Sequence, residues 1–177
     1  MNIYNHCETV AKLCKEFSLY LGNSYQYSLM LYQAGIYHDI GKIKLQKNTL
    51  NKVGPLTIEE WNHIKKHVIY SKIIAKSIGV DINIVDIVYQ HHEEEDGCGY
   101  PNGLRGNQIL TGAKILKICD VYISLREKRP YRESFELDET IKIMDQMEEE
   151  EKLNSILYSN FKNMVLESST LKKISNG

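Results

Sequence analysis

Apolar residues recur three and four positions apart along most of the chain, which is the spacing of one face of an α-helix. Five stripes of this kind lie within residues 10–21, 27–34, 61–78, 84–88 and 109–123. Residues 137 to about 166 have the pattern of one or two further amphipathic helices. The alternation of apolar and polar residues that is typical of strands is rare, so the sequence predicts an all-α protein.

Local signals place the ends of several of these helices. Thr57 and Glu60 have the spacing of a capping box, which predicts that the third helix begins there, and Asp81 is expected to begin the fourth. Residues 17–37 carry no charge, which raises the question of a membrane span. Because Gly22 and several amides interrupt this segment, we expect two buried helices joined by a turn instead.

Residues 96–107 do not follow a helical pattern, since they include four glycines and a proline. We expect a long ordered loop here, and loops of this length usually carry a function.

Composition narrows the class of protein. A chain of 177 residues suffices for one domain with a core of its own. It shows no signal peptide, so we expect a cytoplasmic protein, and the cysteines, Cys7, Cys14, Cys98 and Cys119, are expected to be reduced core thiols. Up to residue 132 there are 17 basic against 13 acidic residues, an excess that suits an anionic ligand.

Histidines and aspartates occupy positions on the apolar faces. His6 lies four residues before Val10 on the buried face of the first helix, and His38 continues the stripe of the second. One such histidine is more often a hydrogen-bonded core residue than a metal ligand, but several groups of this kind satisfy one another if they converge on cations. Seven residues share this placement: His6, His38, Asp39, His67, His91, His92 and Asp120.

Mixed imidazole and carboxylate ligands suit iron, manganese or zinc better than calcium or magnesium. Adjacent residues on a helix point about 100° apart. The pairs 38–39 and 91–92 are therefore expected to address two different cations, with Asp39 as the bridge, which predicts a dinuclear hydrolytic centre. His63 lies further round the third helix, and we expect it on the surface.

These residues stand in motifs that follow one another along most of the chain. The motifs are HDIGKI (38–43), LTIEEWNHIKKH (56–67), HHEEEDGCGYPNGLRG (91–106), ILKICD (115–120) and RPYR (129–132). Together they resemble the HD-GYP branch of the HD-domain phosphohydrolases, which are cyclic-di-GMP phosphodiesterases. The resemblance implies one HD-domain helical bundle over 1–177, with a metal core in 1–132, C-terminal helices in about 133–170 and the Gly-rich GYP loop near the metals.

The resemblance also implies roles for individual residues. It gives two divalent transition-metal ions held by the seven histidines and aspartates, with iron or manganese favoured and zinc, nickel or magnesium left open. It implies that Asp39 and Lys42 are catalytic residues and that Lys42 contacts the scissile phosphate. The implied substrate contacts are Lys42, Arg129, Arg132, Gly99, Tyr100 and Pro101. Without the resemblance, the two arginines and Lys42 are equally consistent with surface charges.

The chain departs from the family pattern at three places. Asn2 stands where some members carry a glutamate that holds a third metal, so two metals are expected. Ile123 and Ser124 replace the usual Asp-Ala pair, and Ser71 replaces a glycine, which predicts a packing change. The family domain is often fused to a sensor, and since nothing precedes the first helix we expect any regulation to come from a separate protein acting in trans or from expression.

The sequence thus predicts hydrolysis of cyclic-di-GMP to linear pGpG, to GMP or to both. Two alternatives stay open: an HD phosphohydrolase acting on another nucleotide, and a binding module that senses the cyclic dinucleotide without cutting it. We expect no nucleic-acid polymer and no membrane as partner. The oligomeric state is left open, with a homodimer as one option.

Overall fold

The computed structural model describes residues 3–128 and 133–175, the segment 169–175 by its backbone alone. The α-helices in this part of the chain are α1 Ile3–Tyr20, α2 Tyr25–Tyr37, α3 Lys47–Leu50, α4 Ile58–Lys65, α5 His67–Ser77, α6 Ile82–Gln90, α7 Thr111–Arg126, α8 Leu137–Glu149 and α9 Ser155–Ser175. Two 3₁₀ helices, Ile40–Lys44 and Gly106–Gln108, lie between them. Since the described residues contain no strand, the predicted all-α class is confirmed.

Helices α1, α2, α6 and α7 surround the core, and α9 covers one end of it. Each of α1, α2, α6 and α7 supplies at least one fully buried side chain, for example Phe17, Leu31, Val88 and Leu116 in that order. The backbones of α1 and α2 touch at Gly35, where an added Cβ would lie 2.5 Å from the Cα of Ala11. Only glycine allows this approach, which holds the first histidine of the sequence close to the end of α2.

The uncharged segment forms two helices, as predicted. Helix α1 ends at Tyr20, Gly22 adopts a φ of +78° in the turn, and the Ser24 side chain accepts a hydrogen bond from the backbone N–H of Tyr27 to begin α2. Among the described residues, no helix combines the length and the apolar character needed to cross a membrane.

The prediction of one helix along the third stripe is wrong. The Thr57–Glu60 capping box is present, but the helix breaks at Lys66 into α4 and α5. Helix α4 buries none of its residues, and Trp61 and Ile78, expected inside, are 45% and 58% exposed. The break changes which residues face inward, so a single helical register does not hold on both sides of it.

One cysteine also differs from the prediction. Cys7, Cys14 and Cys119 are buried thiols, but Cys98 is exposed. It lies in the glycine-rich loop, where its backbone N–H donates to the Asp96 carboxylate at 2.8 Å instead of packing in the core.

Helices α8 and α9 confirm two amphipathic helices in the C-terminal segment. Phe161 of α9 is fully buried and packs edge-on against Phe17 and Tyr122, with ring centroids 5.1 and 5.2 Å away. The C-terminal segment therefore shares a core with α1 and α7.

If residues 1–177 form one cooperative domain, Phe161→Ala should lower the free energy of unfolding by about 3–5 kcal/mol, because it leaves a cavity between three helices. Ile156→Ala on the same helix is the control: Ile156 is 75% exposed, and its loss should cost less than about 0.5 kcal/mol. Urea denaturation followed by circular dichroism measures both. Equal midpoints for the two variants would show that α9 folds independently of α1.

Candidate metal centre

The seven predicted residues come together where five helical segments meet. His6 lies on α1, His38 and Asp39 lie between α2 and the first 3₁₀ helix, and His67 begins α5. The pair 91–92 follows α6, and Asp120 lies on α7. Five of the seven are buried, whereas His92 and Asp120 keep part of their surface exposed and mark the open side of the cluster.

Three of the histidines are oriented by the backbone in the same way. The Nδ1–H of His38 donates to the carbonyl of Gly35 at 2.7 Å. His67 makes the corresponding bond to Ile64 at 2.8 Å, and His91 to Val88 at 2.6 Å. Because a carbonyl oxygen only accepts, Nδ1 must carry the proton in each ring. Burial lowers the pKa of both His67 and His91, so these rings are neutral and each Nε2 presents a lone pair towards the centre of the cluster. Burial opposes protonation of His38, but the Asp39 carboxylate raises the pKa of this ring well above its usual range, so its Nε2 presents a lone pair only after the ring loses a proton.

These inward atoms lack partners within the described protein. The Nε2 atoms of His38, His67 and His91 and the Oδ1 of Asp39 are buried without a hydrogen bond. Buried polar atoms of this kind are rare and costly, and several of them facing one small space fit a bound cation. The residues present thus match the chemistry of a transition-metal site.

The cluster divides into two groups of ligand atoms with Asp39 between them. His6, His38 and Asp120 form one group and His67, His91 and His92 the other, and within each the atoms lie no more than 4.8 Å apart. The two carboxylate oxygens of Asp39 face different groups: Oδ2 is 3.4 Å from His38 Nε2, and Oδ1 is 3.4 Å from His67 Nε2. This is the geometry expected of a bridging carboxylate.

Burial sets the protonation of the second group. Burial lowers the pKa of His91 to about 3 and that of His92 well below its usual range, so both rings are neutral at pH 7 and able to bind a cation. Burial opposes ionisation of Asp39, but the Lys42 ammonium and the His38 ring outweigh it and hold the pKa of this carboxyl well below its usual range.

Lys42 forms an ion pair with Oδ2 of Asp39 in the described structure. Its side chain is 22% exposed, so the ammonium lies at the boundary between the cluster and solvent.

Ser71 fixes the segment that carries His38 and Asp39. Its hydroxyl donates to the carbonyl of His38 at 2.7 Å and accepts from the N–H of Gly41 at 2.8 Å. A Cβ on Gly41 would lie 2.1 Å from the backbone oxygen of His67, so the 3₁₀ helix and α5 are in direct contact. At the position where a packing change was predicted, Ser71 thus makes two buried hydrogen bonds to the segment that carries His38 and Asp39.

The glycine-rich loop lies against the histidines. Tyr100 stacks on the His92 ring with centroids 4.7 Å apart and planes at 23°, and its N–H donates to the carbonyl of His92. A Cβ on Gly99 would lie 2.5 Å from that same oxygen. The buried carboxylate of Glu93 accepts from the backbone N–H groups of Asn102 and Leu104 and so holds the far side of the loop, which includes Pro101.

Sequence reasoning missed three residues beside the cluster. Glu127 accepts from Nδ1 of His6 at 2.9 Å, and it follows Asp120 by seven residues, a spacing of two helical turns that signals a shared face. The Sγ of Cys7 lies within 4.8 Å of ligand atoms of His38 and Asp39. Ser124, noted as a departure, donates to Asp120 at 3.2 Å and so supports it.

Other predicted residues do not join the cluster. His63 is half-buried instead of lying on the surface, because its Nε2 accepts from the backbone N–H of Gln46 at 3.3 Å. It belongs to none of the cation groups found among the described residues. Arg129, Arg132 and Asn2 lie outside the described residues.

A helical bundle with a buried His-Asp pair at the end of one helix, and further histidines and an aspartate from four other segments, defines the HD class of metal-binding domains. The family model of the HD domain matches residues 2–155, and the chain belongs to this family. The recognition made from the motifs is confirmed at this level.

Curated relatives are longer proteins. The chain is 35% identical over 141 residues to a 3′3′-cGAMP-specific phosphodiesterase of Vibrio cholerae, covering 80% of this chain and 33% of that protein. It is 32% identical over 161 residues to a cyclic di-GMP phosphodiesterase of Thermotoga maritima, covering 90% and 42%. The chain thus spans less than half the length of either relative.

A solved HDG"Y"P protein from Bdellovibrio bacteriovorus has the same fold, with a TM-score of 0.74 at 20% identity over 93% of this chain and 52% of that one. At this identity the likeness concerns the fold alone.

Ser71→Ala should leave the carbonyl of His38 and the N–H of Gly41 buried without partners. We expect a loss of about 1–3 kcal/mol in the free energy of unfolding and a fall of roughly 10- to 100-fold in affinity for Mn²⁺. Ser77→Ala is the matched control, since Ser77 is exposed on the same helix and its hydroxyl donates only to Ile74. Urea unfolding and metal titration measure the two effects. Identical Mn²⁺ affinity in both variants would contradict a role of Ser71 in holding the His-Asp pair.

Proposed function

We propose that the protein is a metal-dependent phosphodiesterase that hydrolyses a cyclic dinucleotide. The observation that carries this proposal is the pair of ligand groups with the two oxygens of Asp39 facing one group each. The names of the relatives supply the substrate class, since they are phosphodiesterases of 3′3′-cGAMP and of cyclic di-GMP. Among these, cyclic-di-GMP is the substrate that we propose, with linear pGpG, GMP or both as product.

Two divalent transition-metal ions are the proposed cofactors, with iron or manganese favoured. Bound there, such ions lower the pKa of water and polarise the phosphoryl oxygens of the substrate. The proposed ligands are the seven clustered residues, with Asp39 shared: His6, His38, Asp39, His67, His91, His92 and Asp120. Glu127 orients His6 by accepting from its Nδ1–H, as backbone carbonyls orient His38, His67 and His91.

Lys42 is the proposed partner of the scissile phosphate. Its ammonium already pairs with a carboxylate oxygen at the edge of the cluster, so a phosphate entering from the open side would meet the same charge. A fixed ammonium stabilises the negative charge that grows on the phosphoryl oxygens during attack.

Arg129 and Arg132 are proposed, from the sequence motif, to hold phosphate or guanine. Gly99, Tyr100 and Pro101 are proposed to border the substrate through the loop that stacks on His92.

The proposal is tested by turnover of anaerobically purified protein loaded with Mn²⁺ or Fe²⁺, on cyclic-di-GMP, 3′3′-cGAMP, cyclic-di-AMP and a nucleoside monophosphate. We expect about two metal ions per chain by elemental analysis and cleavage of cyclic-di-GMP ahead of the rest, with the linear dinucleotide detected by chromatography. One ion per chain would contradict the dinuclear centre. Tight binding of a cyclic dinucleotide without cleavage would favour the sensing module, and cleavage of the monophosphate alone would assign another HD phosphohydrolase activity.

His67 and His63 are four residues apart on opposite sides of the break at Lys66, and they provide a matched pair of variants. His67→Ala should lower metal content and reduce kcat by more than the roughly 10- to 100-fold loss that outer-shell partners give, because one cation loses a direct ligand. His63→Ala loses only a bond to the backbone of Gln46, so its metal content should be unchanged and its kcat within a few-fold. Metal analysis and steady-state kinetics compare the two. Equal losses would mean that the α4–α5 junction as a whole, not His67, holds the metal.

A further inference from the structure

A row of cationic and aromatic side chains leads from the candidate metal centre to the surface. His92 stacks on Tyr100, and the Nζ of Lys65 lies 5.2 Å from the centroid of the Tyr100 ring. The same ammonium lies 5.7 Å from the centroid of Trp61. Lys65 thus stands between two rings, one of which touches a proposed ligand. We call Trp61, Lys65 and Tyr100 the α4 rim.

The α4 rim is not part of the hydrophobic core. Helix α4 buries none of its residues, and the indole of Trp61 is 45% exposed. Trp61 and Lys65 are four residues apart, so they lie on the same face of α4, and the contact of Lys65 with Tyr100 turns that face towards the open side of the cluster. The exposed Trp61 side chain and the Lys65 ammonium are therefore linked to His92 through the Tyr100 ring.

These groups match the part of the substrate that the metals leave unused. A cyclic dinucleotide with one phosphodiester at the metals still presents a second phosphate and two purine bases. Indole is a strong stacking surface for a base, and it stacks without regard to hydrogen-bond pattern. The Lys65 ammonium beside the indole suits the second phosphate of the substrate. Asp39 and Asp120, in the centre of the cluster, are anionic and cannot bind that phosphate, so a cationic side chain outside the cluster is needed.

We propose that the α4 rim is a substrate subsite, in which Trp61 stacks on a purine base of the cyclic dinucleotide and Lys65 pairs with the phosphate next to that base. This inference rests on the proposed function and extends it to residues without an assigned role. A simpler account makes Lys65 and Trp61 an intrahelical pair that stabilises α4 alone. The two accounts differ in whether Trp61 senses the ligand.

Trp61 is the single tryptophan of the chain, so its fluorescence reports on this subsite directly. The probe is a phosphorothioate analogue of cyclic-di-GMP that resists hydrolysis, titrated into the Mn²⁺-loaded protein. Stacking of guanine should quench the emission in a saturable way, whereas inorganic phosphate, which has no base, should not. Free N-acetyltryptophanamide corrects for absorption by the nucleotide. Saturable binding, detected by calorimetry, without any change in Trp61 emission would overturn the proposal.

Steady-state kinetics of three rim variants and two control variants provide the second measurement. Trp61→Ala and Lys65→Ala should each raise KM for cyclic-di-GMP about five- to one-hundred-fold, with metal content unchanged and kcat within a few-fold. Trp61→Phe should recover most of the loss, because a phenyl ring also stacks.

The matched controls are Tyr25→Ala and Lys15→Ala. This pair resembles the rim, with Lys15 Nζ 4.7 Å from the centroid of a ring that is 60% exposed, but it lies where α2 begins, at the opposite end of that helix from His38. The control variants should keep the wild-type KM. An unchanged KM in Trp61→Ala, or equal changes in rim and control variants, would return Trp61 and Lys65 to an intrahelical role.

The two proposals fail in different ways. If the wild-type protein turns over cyclic-di-GMP but the ligand does not quench Trp61 and the rim variants keep the wild-type KM, the subsite is contradicted and the phosphodiesterase activity is not. Saturable quenching without turnover would leave the subsite and make the protein a sensor.

Discussion

The site depends on hydrogen bonds between imidazole Nδ1–H groups and backbone carbonyls at helix ends. A helix leaves its last carbonyls without intrahelical partners. His38 and His91 stand at the ends of α2 and α6, and His67 at the break between α4 and α5, and each ring reaches back three residues to such a carbonyl. One bond thus satisfies the helix end, fixes the tautomer and directs Nε2 inward. The orientation of these rings is therefore set by helix packing and does not rely on flexible loops.

The same arrangement couples stability to the ligand. Within the cluster, three imidazole nitrogens and one carboxylate oxygen are buried without a hydrogen bond, and unpaired buried polar atoms destabilise a fold. Lys42 pairs with the other oxygen of Asp39, Oδ2, and so offsets part of the cost of burying this carboxylate. Cations that bind these atoms would stabilise the folded chain over the unfolded one, in which no preformed site exists. Without bound metal, the residues that form the site thus lower the stability of the folded chain.

The sequence predicted the cluster well because a polar residue on an apolar stripe is visible in the spacing alone. The prediction of one continuous helix failed at Lys66, because the apolar spacing continues on both sides of the break and so does not reveal it. For the same reason Trp61 was predicted to be buried. Cys98 was misplaced because its type suggests burial while the glycines around it predict a loop. Glu127 could have been found from its two-turn distance to Asp120. The bonds of Ser71 join elements 30 residues apart, and no local pattern encodes such contacts.

For the proposed phosphodiesterase, discrimination between cyclic dinucleotides would have to arise outside the metal cluster, because the proposed metal ligands and Lys42 would act on phosphate, which all such substrates share. The proposed contacts to the bases lie on the open side, in the loop that stacks Tyr100 on His92 and on α4, where Lys65 lies against the Tyr100 ring. Helix α4 buries no residue, so its side chains can change without altering the core or the orientation of the histidines. The loop is more constrained, since Glu93 holds its backbone and Gly99 packs against residues 92–94. Within this fold, substitutions on α4 can therefore alter the proposed contacts to the bases while the geometry of the histidines and aspartates is retained.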